Sequence, residues 1–161
     1  MIYLYRALTI VLGLTLLHIP QVALAGPPQW GSAKTMEIEY KGQKVVYDTA
    51  VNSVSALVSV LDRASYLSTL NGADPFDTRI VIVLHGNEIP FFAIKNYTTH
   101  KDLMIRAQSL TVGGIIEFRM CQIAAKSHGF EPKDIHGFVS MVPMGDAEIV
   151  RLQQAGYAYM R

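Results

Sequence analysis

Cys121 is the only cysteine among 161 residues. It directly follows the apolar run Ile115 to Met120 and directly precedes a short helical stretch, Gln122 to His128. The unpaired N–H groups and positive dipole end at a helix start favour a thiolate, the nucleophilic form of the group. Arg119, two residues earlier, shares the face of Cys121 if the strand continues that far. Beside this reactive reading stands a plain one, since free cysteine is among the most buried residue types. His85 follows the run Ile80 to Leu84 and precedes Gly86, which aims it at the same end of a sheet as Cys121. It suits an acid/base role or a hydrogen bond to a sulfur anion, or else a structural role in the glycine turn. Gly86, Asn87 and Glu88 on that loop, with Arg119 and Gln122, are the candidate binding residues. Taken alone, Glu88 reads as a solvated carboxylate.

The remaining histidines fit this site poorly. His128 is two helical turns beyond Cys121, about 10 Å away at 1.5 Å per residue. His136 precedes a strand and belongs at the opposite sheet edge, and His100 lies near a helix start. Cys121, Met120, Met141, Met144 and His85 are soft or borderline donors that suit Cu(I). Met141 and Met144 are three apart but separated by Pro143, and no CxxC or HxxxH motif gathers the set, so a soft-metal (copper) binding protein is the lesser alternative and no metal or cofactor is expected. GxSxG, HExxH, P-loop and GxGxxG patterns are absent, and Gly113-Gly114 reads as a helix stop.

These residues must be positioned by regular elements. Val54 to Leu70 has helical apolar spacing, a cap at Asn52 or Ser53, and a stop at Asn71-Gly72. Ile80 to Leu84 is a β-branched run of the kind buried on both faces of a sheet. A helix is expected from Thr99 to Val112, with Thr99 and Asp102 at capping-box spacing. Ile115 to Met120 and Phe138 to Val142 read as strands. Pro143 to Asp146 then leads into a terminal helix with Asp146 at its N-cap. Near the start, Met36 to Tyr40 alternates as an exposed strand does, and Lys41-Gly42 turns the chain into a short strand at Val45 to Tyr47. Alternating strands and helices predict an α/β, Rossmann-like three-layer domain. Its sheet is mainly parallel, has about five strands, and is flanked by helices. Ligands in such sheets gather outside the carboxyl ends of the strands, where His85 to Glu88, Cys121 and Met141 to Met144 fall.

The chain opens with one basic residue, Arg6, an apolar run from Ala7 to Leu17, and Ala23-Leu24-Ala25. Those are the parts of a secretory signal peptide over residues 1–25, followed by an extension over 26–43 and the α/β domain over 44–161. The apolar run is short of the roughly 20 residues a membrane helix needs. A periplasmic or secreted product, free of the membrane after cleavage, is expected. The formal net charge of +1 comes from Arg6, so the mature chain is formally neutral and carries no basic block. Nucleic acid is therefore excluded as an expected partner. One cysteine in an exported chain makes no internal disulfide, which leaves a buried, reactive, metal-binding or intermolecular thiol.

Three segments carry a family resemblance. Ile80 to Phe92, Gly114 to Ala125 around Cys121, and Met141 to Tyr159 resemble the DsrE/DsrF-like family of small α/β proteins, over about Lys44 to Tyr159. The resemblance implies a Rossmann-like fold and homo-oligomers, often trimers or hexamers. It further implies a cysteine that carries sulfur as a persulfide between a donor and an acceptor protein, a role that falls here on Cys121. The signal peptide departs from the cytoplasmic members. A non-catalytic oligomeric module that binds a ligand or partner is the alternative.

Overall fold

The run Arg79–Leu84 forms the strand about which the protein is organised. In the computed structural model, which describes Gly26 and residues 30–161, five of its six residues are buried. Counted along the chain, the strands are β1 (Lys44–Thr49), β2 (Arg79–Leu84), β3 (Ile116–Cys121), β4 (Val139–Val142) and β5 (Ala158–Met160). The helices are α1 (Val54–Leu70), α2 (Lys101–Thr111), α3 (Gln122–Ser127) and α4 (Gly145–Gln154). All five strands are parallel, in the order β4-β3-β2-β1-β5. The expected α/β three-layer class is thus the observed one. The expected signal peptide lies outside the described residues. Residues 30–37 contain no helix or strand, and no helix among the described residues is long and apolar enough to cross a membrane.

Alternation along each strand sends side chains to two faces. Val45, Tyr47, Ile80, Ile82, Leu84, Ile116, Phe118 and Met120 face one side, where they bury Leu57 and Leu61 of α1, Leu103 and Met104 of α2, and Ala125 of α3. Val46, Val81 and Val83 face the other and pack against Ile149 and Leu152 of α4. Three helices therefore cover one face and α4 alone covers part of the other. β1, β2 and β3 each lead to a helix on the first face, whereas β4 leads to α4 on the second. The connections diverge between the carboxyl ends of β3 and β4, the kind of place where open parallel sheets form a crevice.

Several local expectations need correction. Met36 to Tyr40 forms no strand, and Ile38 and Tyr40 remain 52% and 45% exposed. The sheet edge beside β1 is taken by β5 instead, a three-residue strand too short to stand out in the sequence. Thr99 does not cap α2, whose start is preceded by His100 without a side-chain cap. Two short 3₁₀ turns, Ile89–Phe92 and Ile94–Asn96, bring the chain in, and the Thr99 N–H is used by the Asn96 carbonyl. Asp146 is not the cap of α4 either. Met144 occupies that position, and Asp146 lies in the first turn, where a carboxylate meets the positive end of the helix dipole.

Candidate functional site

Cys121 ends β3 and is also the N-cap of α3, with no intervening loop. Its Sγ accepts a hydrogen bond from the Ala124 N–H at 3.4 Å. The side chain is 5% exposed, and that exposure opens into a pocket of about 200 Å³. His85, Ile123, Ala124, Ser127, Met144, Gly145 and Asp146 complete its lining. The pocket occupies the divergence between β3 and β4, with the starts of α3 and α4 on its two sides.

Gly145 explains how these elements close on one another. A Cβ at that position would lie 3.0 Å from the His85 Cβ and 3.2 Å from the Cys121 Cβ. The first residue of α4 is therefore a glycine because anything larger would press on both side chains at their roots.

His85 Nε2 lies 2.5 Å from Asp48 Oδ1, and the other oxygen of Asp48 accepts a hydrogen bond from the Tyr159 hydroxyl. Burial pushes the Asp48 carboxyl up. The hydrogen bonds from Tyr159 and His85, with the charges of His85 and Arg161, outweigh it and hold the group below its ordinary range. Asp48 is thus ionised at neutral pH and acts only as an acceptor. It follows that His85 Nε2 carries the hydrogen in this pair.

Of the residues singled out from sequence, Cys121 and His85 come together and the other five do not join them in the pocket. Glu88 is fully buried rather than solvated. Its oxygens accept from the Gly86 and Val51 N–H groups, each at 2.8 Å, which ties the loop after β2 to the loop after β1. Asn87 spans the same two loops through Asn52 at 2.8 Å. Gly86 lies so close to Ala50 that a Cβ would stand 2.5 Å from the Ala50 Cα. These three residues build the loop that carries His85. Arg119 does share the face of Cys121, but its guanidinium is occupied by Glu148 and Glu117. Gln122 is exposed at the start of α3 and does not line the pocket.

The soft-metal set is dispersed. Met120 is fully buried in the three-helix face and Met141 packs against that same core, so only Cys121, His85 and Met144 share the pocket. Among the described residues, no group of three or more His, Cys, Asp or Glu is arranged to hold a metal ion. His128 caps the far end of α3. His136 packs between Tyr97 and Phe138, where burial pushes its pKa down.

Sequence reading missed Asp48 and Tyr159. Asp48 interrupts the apolar strand β1, and a carboxylate in a buried strand was the available signal. Tyr159 gave none, because β5 was not recognised.

No protein-family model matches the chain, and no curated protein matches it. A solved structure of the same fold is MTH1491 from Methanobacterium thermoautotrophicum, a protein of unknown function. It is 22% identical with a TM-score of 0.57, over 74% of this chain and 98% of that one. At that identity the likeness shows the α/β fold alone.

Proposed function

We propose that this protein handles sulfur in an exported compartment, with Cys121 accepting a sulfane sulfur and holding it as a persulfide. The observation that carries the reading is the shared pocket of Cys121 and His85 at the β3/β4 divergence. It agrees with the resemblance of three segments to the DsrE/DsrF-like family and with the signal-peptide pattern of residues 1–25. In the reaction the Cys121 thiolate attacks the outer sulfur of a donor such as thiosulfate. The Sγ–S bond forms, the donor S–S bond breaks, and sulfite leaves with the electron pair. Charge is conserved and no oxidant is consumed. The Ala124 N–H and His85 face the resulting anion, and a donor or acceptor protein reaches it through the pocket mouth.

Incubation with thiosulfate or polysulfide followed by intact mass measurement tests this. Wild type gains the mass of one sulfur atom, and Cys121→Ser gains none. No addition to wild type, or equal addition to the variant, overturns the reading.

A second reading is a non-catalytic binding module. The pocket rim favours it: Ile123 and Met144 are 61% and 43% exposed, an apolar lip suited to a ligand or partner segment. Thiol labelling separates the two. A Cys121 that labels in the native protein supports chemistry, and one that labels only after denaturation supports the module.

A further inference from the structure

Four adjacent strands place one functional side chain each on the α4 face of the sheet. On β1 the register runs through Val46 to Asp48, and on β2 through Val81 and Val83 to His85, one residue past the strand end. Val46, Val81 and Val83 are buried with α4, so by period-two alternation Asp48 and His85 share their face. Leu84 pairs with Met120, and one step further along β2 and β3 stand His85 and Cys121. On the other side of β1, Val46 pairs with Tyr159 of β5, whose hydroxyl reaches Asp48. Across the sheet the order is Tyr159, Asp48, His85, Cys121, on strands spaced about 4.8 Å apart. An imidazole at the third place has a neighbour on either side.

We infer that these residues form a proton relay in which Asp48 and Tyr159 are positioning residues that make His85 the base for Cys121. The inference rests on the reading of Cys121 as the reacting atom, but not on sulfur as its cargo. Ionised Asp48 fixes the hydrogen on His85 Nε2, which leaves Nδ1 as the basic nitrogen for the pocket that His85 and Cys121 line. The proton of the Cys121 thiol passes to Nδ1. The products are a thiolate and an imidazolium whose Nε2–H remains bonded to Asp48, and no other group changes charge. Tyr159 donates to the second Asp48 oxygen and so holds the carboxylate in the plane that His85 requires. Gly145 leaves no side chain between α4 and the row.

The other charged groups around His85 are accounted for. Glu88, on its own loop, is consumed by the two N–H groups it accepts from. Arg119 of β3 is paired with Glu117 and Glu148. Asp146 of α4 lines the Cys121 pocket beside His85. Arg161 lines a second pocket together with His85 and Asp48. Asp48 is the only one of these with a direct bond to the ring.

The test is the second-order rate of Cys121 alkylation by iodoacetamide as a function of pH, read by mass on the intact protein. For Asp48→Asn the rate falls about tenfold near pH 6.5 and stays within about twofold of wild type near pH 9.5, above the ordinary range of a free thiol. Tyr159→Phe, which removes one exposed hydroxyl, gives a smaller loss in the same direction at low pH. His85→Gln matches Asp48→Asn, and the double variant is no slower than either, as members of one unit behave. A loss that is equal at every pH, no loss at all, or additive losses in the double variant overturns the relay. If the pH-selective loss is seen but thiosulfate adds no sulfur to wild type, the sulfur reading fails and the relay stands.

Discussion

At the scale of single residues, the largest change in role belongs to Glu88. It ends the polar loop His85-Gly86-Asn87-Glu88, which suggests a solvated side chain. Its hydrogen-bond partner Val51 is 37 positions away, a distance over which local pattern says nothing. A fully buried carboxylate is stable only when its oxygens are satisfied, and here two backbone N–H groups do that. Glu88→Gln turns one acceptor into a donor facing an N–H. A loss of about 2–3 kcal/mol in urea-unfolding free energy is the expected outcome, near the upper range for a hydrogen bond to a charged group. Native labelling of Cys121 reports the same change, because the loop that Glu88 anchors carries His85. Cys121 and His85, by contrast, were legible from sequence. Both stand at the end of an apolar run, so their place at the carboxyl edge followed from local pattern.

At the scale of elements, the start of α4 decides whether the pocket exists. Asp146 looked like the cap because an acidic residue followed a Pro-Met-Gly turn. The helix begins at Gly145, two residues earlier than such a cap would set, and only a residue without a side chain packs there against His85 and Cys121, at 3.0 and 3.2 Å. Gly145→Ala sets a helix-propensity gain of up to about 1 kcal/mol against an overpacking cost of about 1–3 kcal/mol. The Cβ would meet the roots of two side chains, which cannot swing away, so the cost wins. The expected outcome is a lowered Tm with slower Cys121 alkylation at every pH. That profile differs from the pH-selective loss expected of Asp48→Asn. The strand β5 shows the limit of pattern reading at this scale. Three residues carry too little alternation to be read as a strand, yet they supply Tyr159 and fill the edge of β1.

At the scale of the whole molecule, three groups couple stability to acid. Hydrogen bonds from Arg151, then from Arg119, outweigh burial and hold the Glu148 carboxyl below its ordinary range. Asp48 is held low as well. Both bind protons less readily folded than unfolded, so their contribution is complete above the ordinary carboxylate range and is lost as pH falls through their folded values. His136 is pushed down by burial. The unfolded chain takes up its proton first, so stability declines as pH falls through the ordinary histidine value of 6.5. Urea unfolding measured from neutral to acid pH is expected to show stability falling in two stages, first with His136 and then with the carboxylates. Glu148→Gln costs about 1–3 kcal/mol at neutral pH and flattens the second stage. A variant with the wild-type slope would show that the Arg119–Glu148–Arg151 cluster is not its source.

The sequence by itself determined the layer class, the succession of strands and helices, and the place of Cys121 at a strand–helix junction. Each of these is written in periodicity over a few residues, and burial of one face per element enforces it. Only the tertiary structure decided what stands beside Cys121. The order β4-β3-β2-β1-β5 puts Tyr159 against Asp48 across 111 positions of chain and Asp48 against His85 across 37. Strand order is fixed by which apolar faces pack best over the whole sheet, a non-local choice that leaves no mark in any short stretch. The lone thiol was visible from the start; the row of side chains that gives it a base was not.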